Sequence, residues 1–186
     1  MIRHPGATHL GLLLASPATP ASERTTDEIL ALIERAEVGA VVRPEPGVYH
    51  GHLRIARHVI LDGAGAVTID GGGKGTVVEI MAPNVVLRNM TVRGSGSNVS
   101  GEPAAIRAET GPVVIEDNVV EDALFGVDLR TSPGSVVRRN RVMGKDLEPG
   151  RRGDGIRLWW SHGCVVEDNI VLATRDMVFW YSEDLI

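Results

Sequence analysis

A short pattern returns along this chain and leaves few folds open to it. Two apolar residues lead through two more, mostly charged, to an asparagine. It is read in Val114-Ile115-Glu116-Asp117-Asn118, Val136-Val137-Arg138-Arg139-Asn140 and Val165-Val166-Glu167-Asp168-Asn169, with an earlier copy in Val85-Val86-Leu87-Arg88-Asn89. A second apolar pair follows, as in Val119-Val120 and Ile170-Val171. Then comes a further short run: Phe125-Gly126-Val127-Asp128-Leu129, Asp154-Gly155-Ile156-Arg157-Leu158 and Met177-Val178-Phe179-Trp180. The asparagines lie about 29, 22 and 29 residues apart, and self-similarity of that size signals stacked repeats. The longer steps carry Gly/Ser or Pro/Arg/Gly insertions, which read as loops leaving one corner of a coil of about 22 residues.

Strands this short, with no helical pattern between them, exclude a large sheet with helical crossovers. A sandwich of hairpins and a parallel β-helix remain. Hairpins do not need asparagine to return to one relative position, whereas a parallel β-helix stacks like on like every 4.7–4.9 Å or so. The predicted fold is therefore an all-β, single-stranded parallel β-helix over residues 40–186. Asn89, Asn118, Asn140 and Asn169 are expected to pass amide hydrogen bonds from coil to coil. Val86, Ile115, Val137 and Val166 are expected to form one inward apolar row, and Ile106, Val127, Ile156 and Val178 another.

Composition agrees. In a chain of 186 residues, Val and Ile far outnumber the aromatics and Gly is frequent, which favours short strands and tight turns. The net charge of -5 is interspersed, so no nucleic-acid footprint is read. No apolar run approaches the length of a membrane span, and the single Cys164 rules out an internal disulfide. Residues 1–21 carry Arg3 and His4, a short apolar patch and Ser16-Pro17-Ala18, a poor signal peptide or a misplaced start. Thr25 to Glu37 reads as a helix. Thr25 and Glu28 form a capping box, Ile29, Leu32, Ile33 and Ala36 share a face, and Gly39 is the stop. Within 22–39 this helix is expected to cap the open end of the first coil. Val41-Val42, Pro44–Gly47, Leu53–Ile55 and Val59–Leu61 are read as an irregular opening coil.

Register equivalence nominates the candidate functional residues. Asp154 and Asp176 precede the inward pair of successive coils. Their carboxylates would lie about 5 Å apart, near the range of paired-carboxylate chemistry, although Asp also caps tight turns. Trp159 and Tyr181 are likewise expected to be equivalents, with Trp160 and Phe179 beside them. An outward aromatic group of this kind serves as a sugar platform or a partner-docking surface, or packs beneath the loop Lys145 to Arg152. His162 and Cys164 are two soft metal ligands around Gly163, but two ligands are not a site. Cys164 also replaces Ser135 of the previous coil as a small turn residue. Gly73-Lys74-Gly75-Thr76 is not a phosphate loop, because Gly75 intervenes after the lysine and a strand follows. Asn98-Val99-Ser100 fits the glycosylation sequon at a high chance rate, and Arg152-Gly153-Asp154 is assigned no adhesion role.

Two blocks resemble the N-terminal half of NosD, the periplasmic maturation factors of nitrous oxide reductase. They are Gly65-Ala66-Val67-Thr68-Ile69-Asp70-Gly71-Gly72-Gly73-Lys74-Gly75-Thr76-Val77-Val78 and Ala82-Pro83-Asn84-Val85-Val86-Leu87-Arg88-Asn89-Met90-Thr91-Val92-Arg93-Gly94-Ser95-Gly96. Gly153 to Trp159 and Arg175 to Phe179 also fit that family's coils. The resemblance covers roughly 40–186. It implies a right-handed parallel β-helix, exported to the periplasm, that works with an ABC-type ATPase and permease in assembling the reductase's copper–sulfide centre. Copper binding is implied by the resemblance, but no ligand residue carries over. Family members are about twice this length, so truncation at the C-terminus is expected. The competing expectation is a polysaccharide lyase, hydrolase or epimerase, with Asp154 and Asp176 as acid and base on a sugar platform of Trp159 and Tyr181. A carbohydrate-binding β-helix without chemistry is the third. Fold alone is a weak warrant for either.

Overall fold

Alternating apolar and polar residues in runs of three to six give strands that bury one side and expose the other. The computed structural model describes residues 23–186, in which these strands wind into a three-faced parallel coil; the possible signal peptide at 1–21 lies outside the described residues. The first face is a six-stranded parallel sheet: Leu53–Ile55, Val78–Ile80, Ala104–Ala108, Phe125–Arg130, Ile156–Trp159 and Met177–Trp180. The second face includes Val41–Val42, Val114–Glu116, Val136–Arg138 and Val165–Glu167. The third includes Gly47–His50, Val119–Ala123, Arg141–Gly144 and Ile170–Leu172. Two longer strands, Ile60–Asp70 and Val86–Arg93, bend across the corner and serve both faces. The opening coil is thus more regular than expected. Gly47–His50 is a strand, and Val59–Leu61 and Val67–Asp70 fall largely within a single one.

The inward rows hold the coils together. Leu87, Ile115 and Val137 are fully buried on the second face, and Ile69, Val92, Val120 and Val142 on the third. On the first, Ile106, Val127 and Ile156 stack with Ala108, Leu129 and Leu158. At about 1.5–3 kcal/mol for each fully buried aliphatic side chain, these rows are the main stabilising term. Glycine is required at one corner. A Cβ on Gly126 would run into the carbonyl oxygen of Gly155 and come within 2.5 Å of Val142 Cγ1.

Three expected registers shift by one residue. Leu87, not Val86, is the partner of Ile115 and Val137, and Val86 lies in the outward row with Val114 and Val136. Asn89 consequently stands level with Asp117, Arg139 and Asp168. These four residues share left-handed backbone, with φ between 52 and 56°, a conformation for which asparagine and aspartate are favoured. The true asparagine ladder is Asn118, Asn140 and Asn169. Asn140 Oδ1 accepts from Asn118 N and Nδ2, at 3.0 and 3.1 Å, and Asn169 Oδ1 accepts from Asn140 N and Nδ2, both at 3.0 Å. In the coil before, Met90 takes the ladder position and gives only its backbone N–H to Asn118 Oδ1. Val178 is shifted as well: Met177 pairs with Ile156, and Val178 with Arg157.

The helix runs Thr26–Arg35, shorter than Thr25 to Glu37, because Ala36 leaves helical geometry at ψ 149°. Thr25 is its N-cap and donates its N–H to Glu28 Oε1. Ile29 and Ile33 are buried at the open end of the first coil, whereas Leu32 is 41% exposed. Thr26 Oγ1 donates to His52 O and Arg57 Nη1 to Glu34 O, tying this cap to the strands. Both predicted insertions are loops between the third and first faces. Each contains a short 3-10 turn, Val99–Gly101 and Pro149–Arg151.

Candidate functional site

Outward side chains on neighbouring strands stand close enough to pair, and this chain uses that spacing for charge. On the second face, Asp62, Arg88, Glu116, Arg138 and Glu167 alternate in sign down one row. The arginines there are about a third exposed or more, so each pair contributes little, of order 0–1 kcal/mol.

On the first face the corresponding row, Arg107, Asp128 and Arg157, is half-buried at Arg107 and buried at Asp128 and Arg157. Asp128 has no exposure and accepts from Arg107 Nε at 3.0 Å, Arg130 Nε at 2.9 Å, and Arg157 Nε and Nη2, both at 2.9 Å. Glu102, at the end of the loop after Gly94, crosses over from another coil. It accepts from Arg130 Nη2 at 2.6 Å and Arg157 Nη1 at 3.0 Å, and its carbonyl accepts from Arg107 Nη2. The Phe125 ring lies 4.2 Å from the Arg157 guanidinium carbon and shields it. Burial pushes Asp128 up, but the guanidiniums of Arg157, Arg130 and Arg107 outweigh it and hold the carboxyl below the usual carboxylate range. The same balance, with Arg157 and Arg130, lowers Glu102.

Beside this cluster opens a cleft of about 400 Å³ lined by Glu102, Arg130, Thr131, Trp159 and Trp160. The aromatic group forecast from the sequence does assemble, though with other partners. Trp159 pairs with Trp180, not Tyr181, with centroids 4.5 Å apart at 89°. Trp160 and Tyr181 are the true equivalents and stack at 4.3 Å and 7°. Trp159 and Tyr181 still approach to 6.1 Å, and Phe179 stands level with Leu158.

Asp154 and Asp176 are not register equivalents. Asp154 is level with Arg175, because Ile156 pairs with Met177. It is 2% exposed and its Oδ1 accepts from Arg175 Nη2 at 2.8 Å and Nε at 3.1 Å. Asp176 is largely exposed and approaches the same Nε at 3.4 Å. Both carboxylates are therefore paired with one guanidinium.

Cys164 takes Ser135's place in the turn, as expected. Its Sγ contacts the carbonyls of Ser132 and His162, and burial pushes the thiol up. The His162 ring accepts from Glu183 N at 3.1 Å through Nδ1. The two side chains are thus engaged separately, and among the described residues no three His, Cys, Asp or Glu side chains gather to hold a metal ion. Ser135 Oγ accepts from Val113 N at 3.0 Å, a bond a thiol makes poorly. Cys164→Ser is therefore expected to leave the fold intact and to stabilise it by up to about 1 kcal/mol. In the parent chain a thiol reagent should react only on unfolding, as followed by mass spectrometry in a urea series.

Sequence reasoning missed the Arg107–Asp128–Arg157 row. Its signal was present: each member follows an inward residue, Ile106, Val127 or Ile156, and the signs alternate.

No family model matches the chain. It is 33% identical over 134 residues to a protein of Pseudomonas aeruginosa described as a probable ABC transporter binding protein, NosD. The match takes in 70% of this chain and 31% of that protein, so the chain spans about a third of the relative's length. Among solved structures, the A-module of the mannuronan C-5 epimerase AlgE4 from Azotobacter vinelandii superposes with a TM-score of 0.62 at 17% identity. That superposition covers 89% of this chain and 57% of the module, a likeness of fold that agrees with a right-handed β-helix. A pectin methylesterase bound to a hexasaccharide superposes with a TM-score of 0.45 at 15% identity, over 75% of this chain and 61% of that one.

Proposed function

The chain is NosD-like over most of its length, and on that premise we propose that it acts as a non-catalytic accessory protein of an ABC-type transporter. Its task is to assist assembly of the copper–sulfide centre of nitrous oxide reductase from the periplasm, where it is exported. The observation that carries this reading is the 33% identity over 134 residues to NosD. Two features of the site support it. The Asp154 carboxylate is consumed by Arg175, and Asp128 and Glu102 are saturated by arginines. Neither arrangement offers the free acid and base that a lyase, hydrolase or epimerase needs. Among the described residues no helix is long and apolar enough to cross a membrane. His162 and Cys164 do not fit a resident copper site, because the thiol is buried and the ring is engaged elsewhere. Copper enters this proposal only as part of the centre being assembled.

Affinity capture of the full-length protein from mildly solubilised membranes tests the partnership. The expected result is co-purification of an ABC-type permease and ATPase. Capture without either subunit, from cells that express both, contradicts it. In parallel, no turnover of uronate polymers is expected, and turnover abolished by Asp154→Asn would return the chain to the enzymes.

A further inference from the structure

The aromatic stack at the end of the first face has a gap in it. Thr131, Trp160 and Tyr181 occupy one place in three successive coils. Thr131 N donates to Trp159 O and Trp160 N to Trp180 O, and all three residues share left-handed backbone at φ 50, 51 and 50°. Tyr181 covers the Trp160 face turned toward the last coil. The opposite face, turned toward Thr131, meets no ring and opens into the cleft of about 400 Å³. That volume is within the range of small-ligand sites.

The walls of this gap differ. One is the indole of Trp160, 54% exposed. The other carries the Thr131 hydroxyl, Arg130 and Glu102. A ring with one apolar face and a polar rim matches such walls, which is the character of a pyranose, whereas an aromatic ring presents two apolar faces. Charge selects further. Arg107, Arg130 and Arg157 pair with Asp128 and Glu102, and Glu79 stands level with Arg107 on the strand before. Of the three arginines only Arg130 lines the cleft, where a ligand carboxylate can meet it. The hydrogen bonds of Arg130 to described residues run through Nε and Nη2, which leaves Nη1 for a ligand.

We propose that this cleft binds a hexuronate residue, with the apolar face of its ring on Trp160 and its carboxylate on Arg130. The site lies outside the role assigned above and stands or falls separately from it.

Tryptophan fluorescence and calorimetric titration of the full-length chain with a galacturonate trimer test this. Galactose trimer and benzoate serve as neutral and aromatic-acid counterparts. Saturable binding of the uronate is expected, at least about tenfold tighter than either counterpart. Thr131→Trp fills the gap with the side chain that the same backbone already carries at Trp160. It should abolish binding while leaving the unfolding midpoint unchanged or raised. Trp160→Ala should weaken binding about tenfold or more. No saturable change up to about 10 mM trimer, equal binding of galactose trimer or benzoate, or wild-type affinity in Thr131→Trp overturns the proposal.

Discussion

Asp128→Ala is expected to destabilise the protein by about 3–5 kcal/mol, the range for removing one partner from a buried ion pair. For a domain of this size that lowers the unfolding temperature by roughly 6–20 °C. The reason lies in what is left behind. Arg157 is 3% exposed and loses two hydrogen bonds from Nε and Nη2, while Arg107 and Arg130 each lose one from Nε. Glu102 is then the acid left to Arg130 and Arg157, with Glu79 level with Arg107. Because the arginines come from three coils, the damage should spread across both coil interfaces around Phe125–Arg130 and show as faster amide exchange there.

The same carboxylate makes stability depend on pH. Asp128 and Glu102 are held below their ordinary range in the folded chain. Their contribution is therefore complete above the unfolded carboxylate range, about pH 4, and is lost as pH falls through the lower folded values. Asp62, Asp70 and Asp117 are lowered too and act in the same direction. Urea midpoints measured from pH 7 to pH 2.5 or so should fall at the acid end. In Asp128→Asn, which keeps the shape but not the charge, the midpoint at neutral pH should be lower and the acid decline shallower. A parallel decline in both proteins would place the sensitive carboxylates elsewhere.

The second large effect is expected at Asn140, whose amide joins three coils. Its Nδ2 donates to Ile115 O at 2.8 Å and to Asn169 Oδ1 at 3.0 Å, and its Oδ1 accepts from Asn118. Asn140→Leu keeps the volume but orphans Asn118 N in the interior and takes one bond each from Asn118 Nδ2, which keeps Leu87 O, and from Ile115 O. At about 1–3 kcal/mol for the orphaned N–H and about 1 kcal/mol for each lost bond, the expected loss is about 3 kcal/mol. Asn89→Leu should cost less, since Asn89 stands outside the ladder and its amide bonds the carboxylate of Asp62. Similar losses at both positions would mean that the ladder is no more than another outward row.

These two sites also mark how far the sequence could be read. The period, the apolar rows, the capping helix and the corner that carries the loops all follow from spacing and residue type. Asn89 was misplaced because two physical demands choose the same residue. Left-handed backbone favours asparagine at 89, and the amide ladder favours it at 118, 140 and 169. A one-residue slip satisfied the pattern equally well. The same slip put Asp154 opposite Asp176 and Trp159 opposite Tyr181. In the fold, Arg175 takes the place opposite Asp154, and Trp160 takes the stacked place. The aromatic cluster itself was legible, because scarce residues grouped on adjacent coils. The Asp128 cluster was not, because its last member arrives on a loop. Glu102 reaches Arg157 across 55 residues of chain, and neither periodicity nor spacing indicates where a loop returns.

The accessory role rests most directly on the state of the reductase when this protein is missing. In a strain lacking the full-length gene, purified nitrous oxide reductase is expected to lack its copper–sulfide centre by metal analysis and visible absorption. Loading should return with the wild-type gene and equally with an Asp154→Asn, Asp176→Asn double variant, since no acid/base step is assigned to those residues. A fully loaded, active reductase in the deletion strain would contradict the account.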